Sequence, residues 1–284
     1  MKRIITEKLL DMYREYLYEE EKSTATIKKY ICDLNKLKRY ADGRELTKTL
    51  VINYKEYLQK CEHYKASSIN SFLTAANGFF RFMEWYELHV KTIRIQKNVF
   101  LPKKKDLSKA EYKKLVRAAV KTGKYRLAMI IQTVCSTGIR ISELADISVE
   151  SVRQGTVEVS CKGKKRVILL PSRLQKMLMK YIDKNGIKSG PVFCTSKGKP
   201  VDRSNIWKEM KNLCEKARVG KEKIFPHNLR HLFAKTFYSV EKDISKLADV
   251  LGHSSIETTR LYIMTSSDKH RKILNKMDLV VALE

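Results

Sequence analysis

Residues 157–169 read Val-Glu-Val-Ser-Cys-Lys-Gly-Lys-Lys-Arg-Val-Ile-Leu, and this stretch decides the fold class. Two short runs rich in valine and isoleucine, Val157–Val159 and Arg166–Leu169, flank the basic segment Cys161–Lys165. Such runs around a glycine-containing turn are typical of a β-hairpin. On both sides of the hairpin, apolar residues recur every three or four positions, which indicates helices. We therefore predict a mainly α fold (α+β) with one small antiparallel β-sheet.

The helices next to the hairpin have recognisable ends. Ser108 and Glu111 form a capping-box pattern ahead of an amphipathic run. The following apolar run stops at Gly138, where a glycine that ends a helix is expected. After the hairpin, helices are predicted to resume at Pro171 and to continue almost to the end of the chain.

A basic linker divides the chain into two predicted domains. The stretch Asn98-Val-Phe-Leu-Pro-Lys-Lys-Lys105 has no helical period and places a proline beside three lysines. We assign the linker to residues 98–106, where it either lies along phosphates or is a solvated connector. Residues 1–97 contain four amphipathic runs and are predicted to form a four-helix domain, and residues 107–284 form the second domain.

The charge points to a polyanionic partner. The chain has 58 Lys and Arg against 31 Asp and Glu, a net charge of +27 and a pI near 9.8. Residues 1–97 carry +6 and the remainder carries +21. Such a field attracts nucleic acid through counterion release. A membrane surface is the rival polyanion, but the charge is spread along the chain rather than gathered on one amphipathic helix.

The rest of the composition predicts a globular, cytoplasmic protein without a metal. No stretch approaches the roughly 18 apolar residues of a membrane span, and the N-terminus is amphipathic rather than signal-like. The six cysteines include no CxxC pair and have no histidine at metal-ligand spacing. We interpret them as reduced thiols that mostly fill the core.

An arginine follows the glycine that ends the predicted helix. In Thr137–Leu144, Arg140 would stand at the first turn of the next helix, where backbone N–H groups favour an anion. A surface or salt-bridged arginine is the alternative. Glu143 is assigned a structural role, because it can orient or neutralise a neighbouring basic group.

A second basic pair follows Pro226, which suits the start of a helix. The spacing of three residues puts His227 and Arg230 on one helical face, and an imidazole beside a guanidinium suits a phosphate. The alternative is a capped helix start with a surface arginine. His231 falls elsewhere on the helix and is interpreted as structural.

Two further candidates lie near the end of the chain. His253 follows Gly252 in a corner between two predicted helices, where a histidine that only caps a helix is the alternative. Tyr262 lies near the end of the next short helix. The chain has 14 tyrosines, and the residues next to Tyr262 do not distinguish it from the others.

Together these segments resemble the tyrosine recombinase (phage integrase) family, and most closely its Xer-like, single-chain bacterial members. The ordered motifs are Gly-x-Arg-x-Ser-Glu-Leu, Lys-Gly-x-Lys in the hairpin, His-x-Leu-Arg-His-x-Phe-Ala, Leu-Gly-His-Ser and Thr-Thr-x-x-Tyr. The likeness covers roughly residues 107–265. More weakly, Ser23–Tyr30, Ser68–Asn70 and Phe79–Phe82 resemble the family's N-terminal core-binding (SAM-like) domain.

The resemblance implies a site-specific recombinase that cleaves and rejoins DNA through a 3′-phosphotyrosyl intermediate. Tyr262 would be the nucleophile, two arginines and a histidine would bind the phosphate, a second histidine would help to remove the phenol proton, and a lysine would protonate the leaving oxygen. Because the phosphotyrosine stores the energy of the broken bond, no cofactor and no metal are expected. The implied catalytic residues are Arg140, Lys162, His227, Arg230, His253 and Tyr262.

The lysine assignment has alternatives. The hairpin tip is one residue shorter than the family's Lys-Gly-x-Lys-x-Arg spacing, so Lys164 or Lys165 can take the place of Lys162.

The resemblance also implies partners. Double-stranded DNA would be held in a C-shaped clamp, with a homo-tetramer on paired sites and accessory directionality factors. The tail, with apolar residues from Ile273 to Val280, would dock on a neighbouring subunit or fold back on its own domain. A type IB topoisomerase-like enzyme and a DNA-binding regulator without turnover are the alternatives. The target DNA site stays open, as does the choice between an integrase of a mobile element and an enzyme that resolves chromosomes or plasmids. The chain can be encoded by a bacterium, a phage or another mobile element.

Overall fold

The computed structural model describes residues 2–61, 63–95, 106–161, 164–195, 198–263 and 275. The chain splits into two compact units, Met1–Lys97 and Asn98–Glu284. No helix in this described part is both long and apolar enough to cross a membrane.

The first unit is a bundle of amphipathic helices around an aromatic core. Thr6, Ser23 and Thr47 precede three of the helices, and each hydroxyl accepts a first-turn amide that has no partner within its helix. The core contains Tyr13, Tyr54, Phe79 and Phe80 with leucines from every helix. The helices are α1 (Glu7–Glu19), α2 (Thr24–Ala41), α3 (Lys48–Lys60) and α4 (Ala66–Phe82), followed by a 3₁₀ turn at Tyr86–Leu88.

The segment that leaves this unit is held on α4 by two asparagines. Asn70 exchanges two hydrogen bonds with the backbone of Ile93, and Asn77 does the same with Val90. From the other side, Lys55 of α3 donates to the carbonyl of Lys91. Backbone groups of Val90, Lys91 and Ile93 therefore have hydrogen-bond partners outside any sheet.

The second unit is helical around one hairpin. Before the hairpin come α5 (Lys109–Lys121), α6 (Tyr125–Thr137), a 3₁₀ helix (Ile141–Asp146) and α7 (Val149–Gln154). The hairpin consists of β1 (Thr156–Cys161) and β2 (Lys164–Leu169). After it come α8 (Ser172–Lys184), α9 (Arg203–Lys211), α10 (Cys214–Ala217), a 3₁₀ turn (Lys221–Lys223), α11 (Pro226–Glu241), α12 (Ile244–Leu251) and α13 (Ile256–Ile263).

Helix α6 lies at the centre of this unit, packed between α5 and α11. Leu127, Ile130, Ile131 and Val134 of α6 are almost fully buried. Burial of each such side chain contributes roughly 1.5–3 kcal/mol to the stability of the folded state. The helix therefore holds its carboxyl end, from which Arg140 extends, in a fixed place.

The predicted fold class and several helix ends are confirmed. The strands pair antiparallel from Thr156 with Leu169 to Cys161 with Lys164. Ser108 and Glu111 form the capping box, and Pro226 occupies the first turn of α11.

Two local predictions need correction. Arg140 does not lie in the first turn of an α-helix, because it precedes a 3₁₀ helix at Ile141–Asp146. Among the described cysteines only Cys214 is buried, so these thiols are not mostly core residues.

Candidate active site

The site forms where the carboxyl ends of α6 and α12 meet α11. Gly138 ends α6 with φ +67°, and a Cβ at this position would lie 2.5 Å from the ring of Phe233. Gly252 ends α12 with φ +62°, and a Cβ there would lie 2.4 Å from Cδ of Arg166. Both glycines are required for the turn and for the close approach of a neighbouring side chain.

Arg230 is the buried centre of the site, with 3% of its surface exposed. It donates to the carbonyl of Gly138 and, at 2.6 Å, to the carbonyl of Leu251. Both carbonyls lie at helix carboxyl ends, whose partial negative charge stabilises a cation. Burial, and then the charge of Arg140, lower the pKa of Arg230 to about 10, so it stays charged at pH 7.

Glu143 links Arg140 to the hairpin. Its carboxylate is 4% exposed and accepts from Arg140 Nη1 at 2.8 Å and from Arg166 Nη2 at 2.6 Å. Burial alone would raise the pKa of Glu143, but the hydrogen bonds from Arg140 and the charge of Arg166 lower it below its ordinary value. The structural role predicted for Glu143 matches this geometry.

The three arginines give the site a net positive charge. Arg140, Arg166 and Arg230 come together, whereas Glu143 is the one carboxylate that the described contacts place on any of them. Arg140 also donates to the carbonyl of Gly252 at 3.1 Å, and its side chain stays 29% exposed. An anion that reaches the three arginines meets guanidinium donors that these contacts hold in place.

His253 lies between Arg230 and Tyr262. A guanidinium only donates, so Nε2 of His253, 3.1 Å from Arg230 Nη2, accepts. The Nδ1 atom then carries the proton and donates to the Thr259 hydroxyl at 2.8 Å. Burial first, and then the charge of Arg230, lower the pKa of His253 to about 4, so it is neutral at pH 7.

Tyr262 is 6% exposed and lies among three imidazole rings. The ring centroids of His227, His231 and His253 lie 5.3, 5.3 and 5.4 Å from its own. Its hydroxyl is 3.3 Å from Nε2 of His227. Burial, and then Arg230, lower the pKa of His227, which favours a neutral ring that can accept the phenol proton.

Five of the six predicted site residues therefore converge. Lys162 lies outside the described residues, as does its neighbour Gly163. Of the alternatives, Lys165 is exposed and lies on the opposite face of β2 from Arg166, since successive residues of a strand alternate. Within the described part of the chain, no three His, Cys, Asp or Glu side chains are grouped so as to hold a metal ion.

Four neighbours of the site are not among the predicted catalytic residues. Arg166 lies in the hairpin motif and Thr259 in the Thr-Thr-x-x-Tyr motif, so both have a visible signal, whereas Asp106 carries no local pattern. His231, which the sequence predicts to be structural, has its Nε2 2.8 Å from the carbonyl of Tyr262.

Removal of the Glu143 carboxylate is expected to destabilise this unit strongly. In Glu143→Ala, Arg140 and Arg166 lose their shared anion, and breaking a buried ion pair costs about 3–5 kcal/mol. Urea denaturation measures the free energy of unfolding. The control is Glu215→Ala, whose exposed pair with Lys221 is worth under about 1 kcal/mol. Equal losses in both variants would contradict the bridging role of Glu143.

Comparison with known proteins defines the class. The model of the phage integrase family matches residues 105–269, and that of the phage integrase N-terminal SAM-like domain matches residues 10–87. The chain belongs to the phage integrase family and is a tyrosine-type, site-specific DNA recombinase.

Among individual proteins, the chain is similar to Xer recombinases. It is 30% identical to tyrosine recombinase XerD of Staphylococcus saprophyticus, over 94% of this chain and 97% of that protein. It is 28% identical to tyrosine recombinase XerA of Pyrococcus furiosus, over 98% and 96% respectively.

Solved structures show the same fold. A lambda integrase dimer bound to a core site has a TM-score of 0.73 at 17% identity and covers 91% of this chain and 95% of that one. A XerH recombinase in a post-cleavage complex with a palindromic difH substrate has a TM-score of 0.73 at 19% identity, over 88% and 79% respectively.

Proposed function

We propose that Tyr262 attacks a backbone phosphodiester of double-stranded DNA, forms a bond from its oxygen to phosphorus and releases a 5′ hydroxyl. The observation that carries this proposal is the 3.3 Å contact between the Tyr262 hydroxyl and His227, beside the Arg140 and Arg230 guanidinium groups. Nucleophile, base and anion-binding groups therefore lie in one place. Rejoining is the reverse attack by a 5′ hydroxyl on the phosphotyrosine.

His227 would take the phenol proton. A free tyrosine has a pKa near 10 and is a poor nucleophile when neutral. The lowered pKa of His227 keeps its Nε2 lone pair available at pH 7. The contact with Tyr262 is within the reach of a general base.

Arg140, Arg230 and His253 would bind the non-bridging oxygens. The guanidinium groups supply charged, planar forks that match a phosphate. The Thr259 hydroxyl can donate to Nδ1 of His253 as well as accept from it, so Nε2 can carry the proton and donate to the phosphate.

Lys162 would protonate the departing 5′ oxygen as general acid. Lys164 and Lys165 are the alternatives at the shortened hairpin tip. The exposed position of Lys165 on the strand face opposite Arg166 favours the other two.

Residues 1–97 would form a core-binding domain on DNA, residues 98–106 a basic linker, and residues 107–284 the catalytic domain with a docking tail. The net charge of +27 supports binding along the phosphates. One solved structure with the same fold is a lambda integrase tetramer bound to a Holliday junction. We propose a comparable homo-tetramer of this chain on paired sites, together with accessory directionality factors. The reaction would take place in the cytoplasm on bacterial or mobile-element DNA.

A nicked suicide duplex tests the proposal. The protein is incubated with duplexes that carry candidate att-like or dif-like sites, and a product resistant to denaturant is isolated and digested. Mass spectrometry of the nucleotide-bearing peptide is expected to place the link on Tyr262. A link on any other residue, or no link on DNA that the protein cleaves, would refute the assignment.

A further inference from the structure

The carbonyl of Tyr262, in α13 (Ile256–Ile263), has a partner in another helix. Nε2 of His231, from α11, lies 2.8 Å from the Tyr262 carbonyl. Because a carbonyl only accepts, Nε2 must carry the proton.

The same imidazole is fixed on its other sides. Its Nδ1 lies 3.4 Å from Oδ1 of Asp106, to which it donates only when both ring nitrogens carry a proton. Oδ2 of Asp106 binds the ammonium of Lys235, one turn further along α11. The ring of His231 meets the Tyr262 ring edge-on, with centroids 5.3 Å apart and planes at 77°. His231 therefore contacts both the backbone and the ring of Tyr262.

We propose that His231 is a positioning residue for the nucleophile, and that Asp106 orients its imidazole when both ring nitrogens carry a proton. His231 holds the last turn of α13 so that the Tyr262 oxygen stays beside His227. It acts through Tyr262 and makes no contact with the phosphate. The inference rests on the proposed function, because it takes Tyr262 as the attacking group.

Small displacements of a nucleophile have large effects on rate. A shift of about 1 Å can lower a rate about 100-fold. Loss of the His231 donor is therefore expected to slow cleavage while DNA binding stays unchanged, because the DNA-binding charges are untouched. A residue with a purely structural role would lower both together.

The test compares His231→Leu, which lacks a donor, with His231→Gln, which keeps an N–H at a similar reach. Single-turnover cleavage of a saturating suicide duplex is expected to fall about 10- to 100-fold in the leucine variant. The glutamine variant is expected to recover most of this loss. The Kd for DNA is expected to change less than about twofold in both. A glutamine variant as slow as the leucine variant, or an unchanged leucine variant, would overturn the proposal.

Substitution of Asp106 provides a second, independent test. Asp106→Ala is expected to slow cleavage in the same direction, and the double variant with His231→Leu is expected to be no slower than His231→Leu alone, because Asp106 acts through His231. Additive losses in the double variant would show that Asp106 has another role and would contradict the orienting contact.

Hydrogen exchange separates this inference from the proposed function. In His231→Leu, amides of residues 256–263 are expected to exchange faster than in the wild type, whereas those of α6 are unchanged. If the wild-type protein forms no adduct, the proposed function fails, and the exchange contrast still decides whether His231 holds α13. Equal acceleration in α6 and α13 would mean general destabilisation and would refute a local positioning role.

Discussion

Tyr262→Phe is expected to abolish the covalent adduct with a nicked suicide duplex, to below detection. The substitution removes the one atom that would attack phosphorus and leaves the ring among its three imidazole neighbours. The substitution removes the hydrogen bond of the hydroxyl to His227 and its interaction with the Arg230 guanidinium, but it keeps the ring, so the fold and the phosphate-binding groups are retained. Adduct yield after denaturation measures the first effect, and a DNA Kd within about twofold of the wild type measures the second.

Tyr238→Phe is the matched control. Tyr238, in α11, also packs against the small cluster that contains Tyr262. The variant therefore removes a phenol oxygen close to the same cluster. It is expected to give wild-type adduct yields. If Tyr262→Phe and the control give equal yields, another residue is the nucleophile.

Arg230→Lys is expected to lower single-turnover cleavage about 100- to 1,000-fold, the range seen when one fixed donor to a developing charge is removed. The guanidinium reaches the carbonyls of Gly138 and Leu251 and also His253, in directions that a single ammonium cannot cover. A buried lysine also tends to lose its proton, which would leave the phosphate without a charge. Cleavage at saturating DNA measures the loss.

Arg173→Lys provides the comparison, because Arg173 is exposed on α8 and the change keeps the charge. Its cleavage rate is expected to stay within about twofold of the wild type. Thermal unfolding of both variants identifies any part of the Arg230 effect that comes from instability, since the two helix ends lose a shared donor. Wild-type cleavage by a folded Arg230→Lys protein would remove Arg230 from the proposed mechanism.

Local sequence was sufficient for the fold class and for much of the site. Helix ends are signalled by residues within one turn of each other, as with Ser108 and Glu111 or with the left-handed glycine at 138. The hairpin follows from its own side chains. The order of the motifs singles out Tyr262 among the 14 tyrosines of the chain, although its own neighbouring sequence does not distinguish it.

Only the tertiary structure decided how the site is held together. The bond from Arg230 to Gly138 spans 92 residues, and the bond from Arg140 to Gly252 spans 112. Such contacts leave no periodic signal, because they depend on how helices pack rather than on neighbours in sequence. For the same reason the sequence marked His231 only as structural, whereas packing of α11 against α13 puts its imidazole on the carbonyl of Tyr262.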